Sequence, residues 1–236
     1  MTELSDATTT GGEKEHTRRH DVQVGLLFVA IIVTSVAVLL VSLLFPAAGE
    51  GGWLTYETIQ PGRQFIWWFL TLAGVNIVVT VVSVSLASVL LAPTRGWRWV
   101  TAGAAIAIVG AAFYAVGVGG WAMLYFFAAD SSALDPATAT AFIETVNDDL
   151  RVFAAAGGGA LAVAIGAMML ATGLWRSGNV PKWLPIMMVI GTVITLVVPI
   201  EGVVGALVEA PSAITSVLIG WYAWQRRRSV SQTGTG

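Results

Sequence analysis

The residues of this sequence that could do chemistry are few, and the most telling are two carboxylates near its C-terminal end. Glu201 follows Pro199 and precedes Gly202, and Glu209 stands two residues before Pro211 in a run of valine, alanine, leucine and glycine. Charge inside hydrocarbon is costly and is retained where function needs it, so two carboxylates entering a bilayer from one segment suit proton or cation handling. The plainer alternative is a pair of loop acids near lipid headgroups. Asn76, with Thr80 one turn on, and Tyr114 are strongly polar groups inside apolar stretches. They read either as the lining of a polar cavity or as a structural pair joining two helices, each such bond giving about 0.6 kcal/mol in a bilayer.

His16 and His20 have the i, i+4 spacing that holds a metal on a helix. They flank Thr17, Arg18 and Arg19 and have no third ligand nearby, so no metal site is expected. Gly117, Val118, Gly119 and Gly120 lack the following lysine of a phosphate loop and read as a packing element. The only lysines are Lys14 and Lys182, neither of them inside a span, which excludes a retinal Schiff base. No dinucleotide fingerprint, zinc-protease motif or nucleophile elbow occurs, and no cofactor is expected.

The elements that position these residues follow from composition. Of 236 residues 56% are apolar and 11% charged, with a mean hydropathy of +0.78. A soluble domain carries about 25% charged residues, so the chain reads as a multi-pass membrane protein. The net charge of −2 argues against nucleic acid as a partner, since no stretch has the basic density that phosphate neutralisation needs. The absence of cysteine removes disulfides and thiolate chemistry.

A helix needs about 20 apolar residues to cross a bilayer, and six stretches qualify: 24–45, 65–92, 99–128, 153–175, 183–200 and 203–224. The last two share a short segment that turns near Pro199, Glu201 and Gly202. It leaves open whether the sixth span begins near Val203, with Glu209 about 9 Å down the helix at 1.5 Å per residue, or at Pro211. With the N-terminus inside, ten of the twelve basic residues fall on the cytoplasmic side: Lys14, Arg18, Arg19, Arg95, Arg98, Arg176, Lys182, Arg226, Arg227 and Arg228. Only Arg63 and Arg151 fall outside, as the positive-inside rule demands. Trp97, Trp99, Trp175, Trp183, Trp221 and Trp224 then mark the inner boundary, and Trp53, Trp67, Trp68 and Trp121 the outer one, matching the headgroup preference of the indole ring. The first apolar run is too long for a signal-peptide core of 7–15 residues, so it is read as an uncleaved helix.

Helices in lipid associate through small residues that let backbones approach. The third span carries Gly103, Ala107, Ala111, Ala115 and Gly119 at four-residue spacing, and the fourth carries Gly157, Gly158, Gly159, Ala162 and Gly166. These two spans are expected to form the tightly packed centre. Between them, Asp135 and Pro136 open a short amphipathic helix with Ala139, Phe142, Val146, Leu150 and Phe153 on one face, capped in the usual way, or else an extension of span four.

Span four runs into Leu174, Trp175, Arg176, Ser177, Gly178, Asn179, Val180, Pro181, Lys182, Trp183, Leu184 and Pro185. This loop resembles the inner loop of uncharacterised bacterial multi-pass membrane proteins, particularly actinobacterial ones, whose domains have no known function. The likeness covers the loop directly and the six-span layout loosely, and it implies no activity. Thr94 to Trp99 repeats the basic, glycine and tryptophan composition.

The expected architecture is an all-α integral membrane bundle of six transmembrane helices in the cell membrane, both termini cytoplasmic. Residues 1–22 are expected as a disordered tail, 23–225 as the six-helix domain and 226–236 as a second tail. Scarce polar groups favour a non-enzymatic subunit or accessory protein whose partners are the lipid bilayer and other membrane proteins or further copies of itself. The alternatives are a small transporter or channel lined by Asn76, Tyr114, Glu201 and Glu209, and an intramembrane lipid-modifying enzyme. A continuous cavity reaching Asn76 or Glu209 would favour transport over the others.

Overall fold

The structure, a computed structural model, describes residues 6–45, 54–198 and 202–233, and every regular element among them is helical. An apolar chain in lipid must satisfy its backbone internally, and a continuous helix does so. Eight α-helices result: α1 (Asp6–Leu44), α2 (Tyr56–Ile59), α3 (Arg63–Leu91), α4 (Trp97–Ala128), α5 (Pro136–Asp148), α6 (Leu150–Ser177), α7 (Trp183–Val197) and α8 (Gly202–Thr233), with a single 3₁₀ turn at Gln60–Gly62. Five of them are long and apolar enough to cross a membrane, and α7, with 15 residues, is the shorter sixth. Its length is about 22 Å at 1.5 Å per residue.

Both expected tails are largely helical. α1 reaches back to Asp6 and α8 runs on to Thr233, because extending an existing helix avoids the nucleation cost that isolates short helices. α5 is a separate helix, set off from α6 by extended backbone at Asp149. Its capping is as expected, with Asp135 accepting from the Thr138 amide at 3.1 Å and Pro136 at the first position. Its buried face is Ala139, Ile143 and Val146, whereas Phe142 and Leu150 are exposed; the break at Asp149 takes Leu150 off the expected face.

The long helices pack in chain order into a ring, α1 on α3, α3 on α4, α4 on α6, α6 on α7, α7 on α8 and α8 on α1, and α3 also touches α8 and α6. The α4–α6 seam is the most extensive, so spans three and four are the tightest pair, but as neighbours in the ring and not as the expected centre of the bundle. The glycine row that makes the seam differs from the expected four-residue stripe. Gly103, Gly110 and Gly117 recur every seven residues on α4 and face Gly166, Gly159 and Ala156 of the antiparallel α6. A Cβ at Gly103 would stand 2.7 Å from the Gly166 carbonyl oxygen, and one at Gly110 2.8 Å from that of Gly159. Of the expected stripe, Ala107 does lie on this seam, Ala115 packs instead against Gly74 of α3, and Gly119 faces open space. A seven-residue row stays on one seam when two helices wrap each other gently, whereas a four-residue row drifts round the cylinder.

The two ends of the ring are built differently. At one end, carrying Arg95, Arg176, Lys182 and Arg226, an apolar cluster takes residues from all six long helices, among them Ile31, Leu91, Val100, Leu174, Leu184 and Ala223. Polar ties reinforce it: the Leu91 carbonyl, at the end of α3, accepts from Asn179 Nδ2 at 2.7 Å and from Arg226 Nη1 at 3.0 Å. Gly96, at φ +83°, lies so close to the Gly173 backbone that no side chain fits there. Arg98, Lys182 and Arg228 stand over the rings of Trp97, Trp175 and Trp224. We call this the basic end.

At the opposite, capped end, α5 packs on α4, α6 and α2, and α2 packs on α4. Their cluster joins Leu54, Ile59, Phe69, Val118, Tyr125 and Ile143, with Val41 and Phe45 of α1 packed on it and no member from the described residues of α7 or α8. Tyr125 donates its hydroxyl to Asn147 Oδ1 at 2.6 Å, and Asn147 Nδ2 donates to the Leu54 carbonyl at 3.2 Å. Arg63 pairs with Asp130 at 2.8 Å.

Candidate functional site

The ring encloses a cavity of about 740 Å³ lined by all six long helices. Each helix presents to it a stripe of its own periodicity, for example Glu209, Ser212, Ala213 and Ser216 of α8 and Asn76, Ile77, Thr80 and Val84 of α3, as one face of a 3.6-residue helix must. Val84, Leu170, Met188 and Ile219 belong both to the cavity wall and to the basic-end cluster. The floor of the cavity therefore lies on this cluster, where residues of α3, α6, α7 and α8 belong to both. Leu54, Phe69, Val118 and Tyr125 roof it at the capped end.

The structure brings three of the four polar residues singled out from the sequence onto this one wall: Asn76, Tyr114 and Glu209. Glu201 lies outside the described residues. Asn76 and Tyr114 do not form the expected pair. Asn76 Nδ2 instead donates to the Thr34 carbonyl of α1 at 3.3 Å, and the Asn76 carbonyl accepts from Thr80 Oγ1 at 2.8 Å. The reason is positional: α3 packs on α1 as well as on α4, and the Asn76 amide faces the α1 backbone. Tyr114 is set on the wall by the glycine seam, because Gly159 of α6 packs directly on the Tyr114 backbone and leaves no room there for a side chain.

Glu209 reaches the wall because α8 starts at Gly202, with φ +54°, and passes through Pro211 without a break. The membrane helix thus begins near Val203 and not at Pro211, and Glu209 lies about 10 Å along it at 1.5 Å per residue. Proline inside a helix removes one backbone bond, and such irregularity is tolerated at membrane depth where it lines a cavity. Gly191 of α7 approaches Ser212 so closely that a Cβ there would stand 2.6 Å from its Oγ, which holds α7 against the same stretch of α8. Among the described residues Glu209 is the one charged side chain on the wall, and no hydrogen bond or ion pair among them engages its carboxylate.

Sequence reasoning missed the hydroxyl residues of this wall, among them Ser35 and Ser42 of α1, Thr192 and Thr195 of α7, and Thr215 and Ser216 of α8. Their signal is the recurrence of serine and threonine at three- and four-residue steps within apolar runs. It is weak, because most such hydroxyls simply bond their own helix. They do so here: Ser42, Thr80, Thr192, Thr195, Thr215 and Ser216 all donate to the carbonyl four residues back, at 2.7–3.0 Å. The wall that results is mainly apolar and carries aromatic rings at Phe45, Phe69, Trp121 and Tyr125.

Outside the spans, the Asp130 carboxyl accepts from the Ser132 hydroxyl and backbone N–H and faces Arg63, which together hold its pKa at about 2, below its usual 3.8. The Thr138 hydroxyl and amide likewise lower that of Asp135. Both acids are structural anchors of the capped end.

No curated protein and no solved structure matches the chain. The model of one family, described as a domain of unknown function, DUF4386, matches residues 23–224. That range begins in the membrane-crossing part of α1 and ends in α8, so it takes in the whole ring and its cavity. The chain, an all-helical membrane protein with a cavity at the centre of its bundle, belongs to the DUF4386 family.

Proposed function

We propose that this protein is a membrane-embedded binding or carrier protein whose central cavity receives a small, largely apolar molecule. The observation that carries this reading is the cavity itself. At about 740 Å³ it lies within the ~300–1,000 Å³ of small-molecule sites, and it has their composition, an apolar and aromatic wall with a few polar groups. We place entry at the capped end, opposite the floor where the cavity wall meets the basic-end cluster. The positive-inside rule puts the basic end in the cytoplasm, both termini with it, and the capped end outside the cell membrane.

The subunit or accessory role that scarce polar groups favoured is the alternative reading. The exposed apolar faces of α1, α3 and α4, such as Leu26, Val33, Leu72, Val116 and Phe113, are covered by a bilayer without any partner. The test is equilibrium dialysis of the purified protein in lipid nanodiscs against the neutral fluorophore N-phenyl-1-naphthylamine, with empty nanodiscs as the reference. Saturable binding that Ala73→Trp, a cavity-wall substitution on α3, removes is the expected result. Uptake no greater than that of empty nanodiscs would overturn the reading.

A further inference from the structure

We propose that the molecule the cavity takes is a lipophilic monocation, its positive charge held by the Glu209 carboxylate. This rests on the reading of the cavity as a binding site and narrows it to one chemical class.

The first ground is charge. A carboxylate about 10 Å along a membrane helix must be neutralised by a proton or a counter-charge, because an isolated ion in a low-dielectric site is strongly disfavoured. The described residues supply no such counter-charge: the wall carries no arginine, lysine or histidine, and the basic side chains gather at the ends of the ring, as Arg63 does with Asp130 and Arg226 with the Leu91 carbonyl. A cationic ligand supplies what the wall lacks.

The second ground is the direction of the wall's hydrogen-bonding capacity. Most of its hydroxyl protons are already committed to carbonyls of their own helices, and the Asn76 amide donates to Thr34. What those groups still offer is lone pairs on oxygen. Apart from a few hydroxyls such as Ser35 and Ser85, which have no partner among the described residues, the wall offers acceptors and so favours a cation or a donor over an anion.

The third ground is aromatic. Phe45, Phe69, Tyr114, Trp121 and Tyr125, from α1, α3 and α4, contribute rings to the same wall as Glu209 of α8. The negative face of an aromatic ring attracts cations, most strongly where water is excluded. Among the described residues the wall carries one carboxylate, which matches a single positive charge, and the apolar remainder of the wall matches an apolar body around it.

The probes are tetraphenylphosphonium and tetraphenylborate, ions of closely similar shape and opposite charge, dialysed against the full-length protein in zwitterionic nanodiscs. Saturable uptake of the cation, none of the anion, and a loss of cation affinity of about tenfold or more in Glu209→Gln are expected. Glu209→Asp, which keeps the charge, should retain most of the binding, and N-phenyl-1-naphthylamine should still saturate in Glu209→Gln, which shows that the cavity persists. Saturable binding of the neutral fluorophore with equal uptake of the two ions, or cation binding unaltered in Glu209→Gln, would overturn the cation assignment and leave the cavity reading standing. If neither the fluorophore nor the cation saturates, both fall.

Discussion

Adding one methyl group to the α4–α6 seam at Gly110 should loosen the whole bundle. A Cβ built there stands 2.7 Å from the Val163 backbone nitrogen and 2.8 Å from both the Ala162 Cβ and the Gly159 carbonyl oxygen. Ordinary contacts of these atom types lie at about 3.5–4 Å, so the two helices must separate locally by close to 1 Å. Two of the three obstacles are backbone and cannot rotate away. Forcing a methyl into such packing costs about 1–3 kcal/mol. Against this stands the better helix propensity of alanine, about 1 kcal/mol in water. Gly119 isolates that second contribution, since a Cβ there meets nothing within 4 Å. Gly110→Ala should therefore be less stable than Gly119→Ala by about 1–3 kcal/mol, a ratio of about 5–150 in the folded-to-unfolded equilibrium. Titration of both variants from mixed micelles into sodium dodecyl sulfate, followed by tryptophan fluorescence, measures the difference. Equal midpoints would refute the close backbone seam as the source of stability.

At the capped end, Tyr125→Phe removes the 2.6 Å bond to Asn147 and should cost about 1 kcal/mol, seen as faster hydrogen exchange in α5 with α4 unaffected. Asp130 has a lowered pKa, about 2 against its usual 3.8, so its stabilising contribution is complete above the usual value and lost as pH falls toward 2. The difference in melting temperature between the wild type and Asp130→Asn should accordingly be constant from neutral pH to about pH 5, narrow as pH falls through 3.8 and vanish near pH 2. At the basic end, Asn179 and Arg226 share the Leu91 carbonyl. Asn179→Ala and Arg226→Ala should each be mild and the double variant worse than their sum, because only the double leaves that carbonyl without either donor; a double-mutant cycle on sodium dodecyl sulfate unfolding reads this coupling.

Helix positions were legible in the sequence because lipid permits little else: long apolar runs bounded by Gly96, Gly178 and Gly202 become helices whatever their neighbours are. Partner choice was less legible. Asn76 needs a partner, but period and hydropathy do not tell whether α1 or α4 supplies it, and the Thr34 carbonyl carries no sequence signal at all. The glycine seam was half visible. Gly103 and Ala107 stand on both the expected row and the real one, but the seven-residue continuation through Gly110 and Gly117 depends on how α6 wraps α4. Glu209 stood out through its charge, whereas the hydroxyls around it did not, since threonine on a lipid-facing helix and threonine on a cavity wall make the same bond to the preceding turn.

The central claim, a cavity sealed at the basic end and entered from the capped end, is tested most directly by accessibility of introduced thiols. The chain has no cysteine, so single substitutions are unambiguous. Thr195→Cys and Ser212→Cys place a thiol on the cavity wall, and Ala223→Cys places one in the basic-end cluster. In sealed vesicles of known orientation, a membrane-impermeant maleimide should label the first two from the side of the capped end and Ala223→Cys from neither side. Labelling of Thr195→Cys and Ser212→Cys from the side of the basic end, or from neither, would contradict the account.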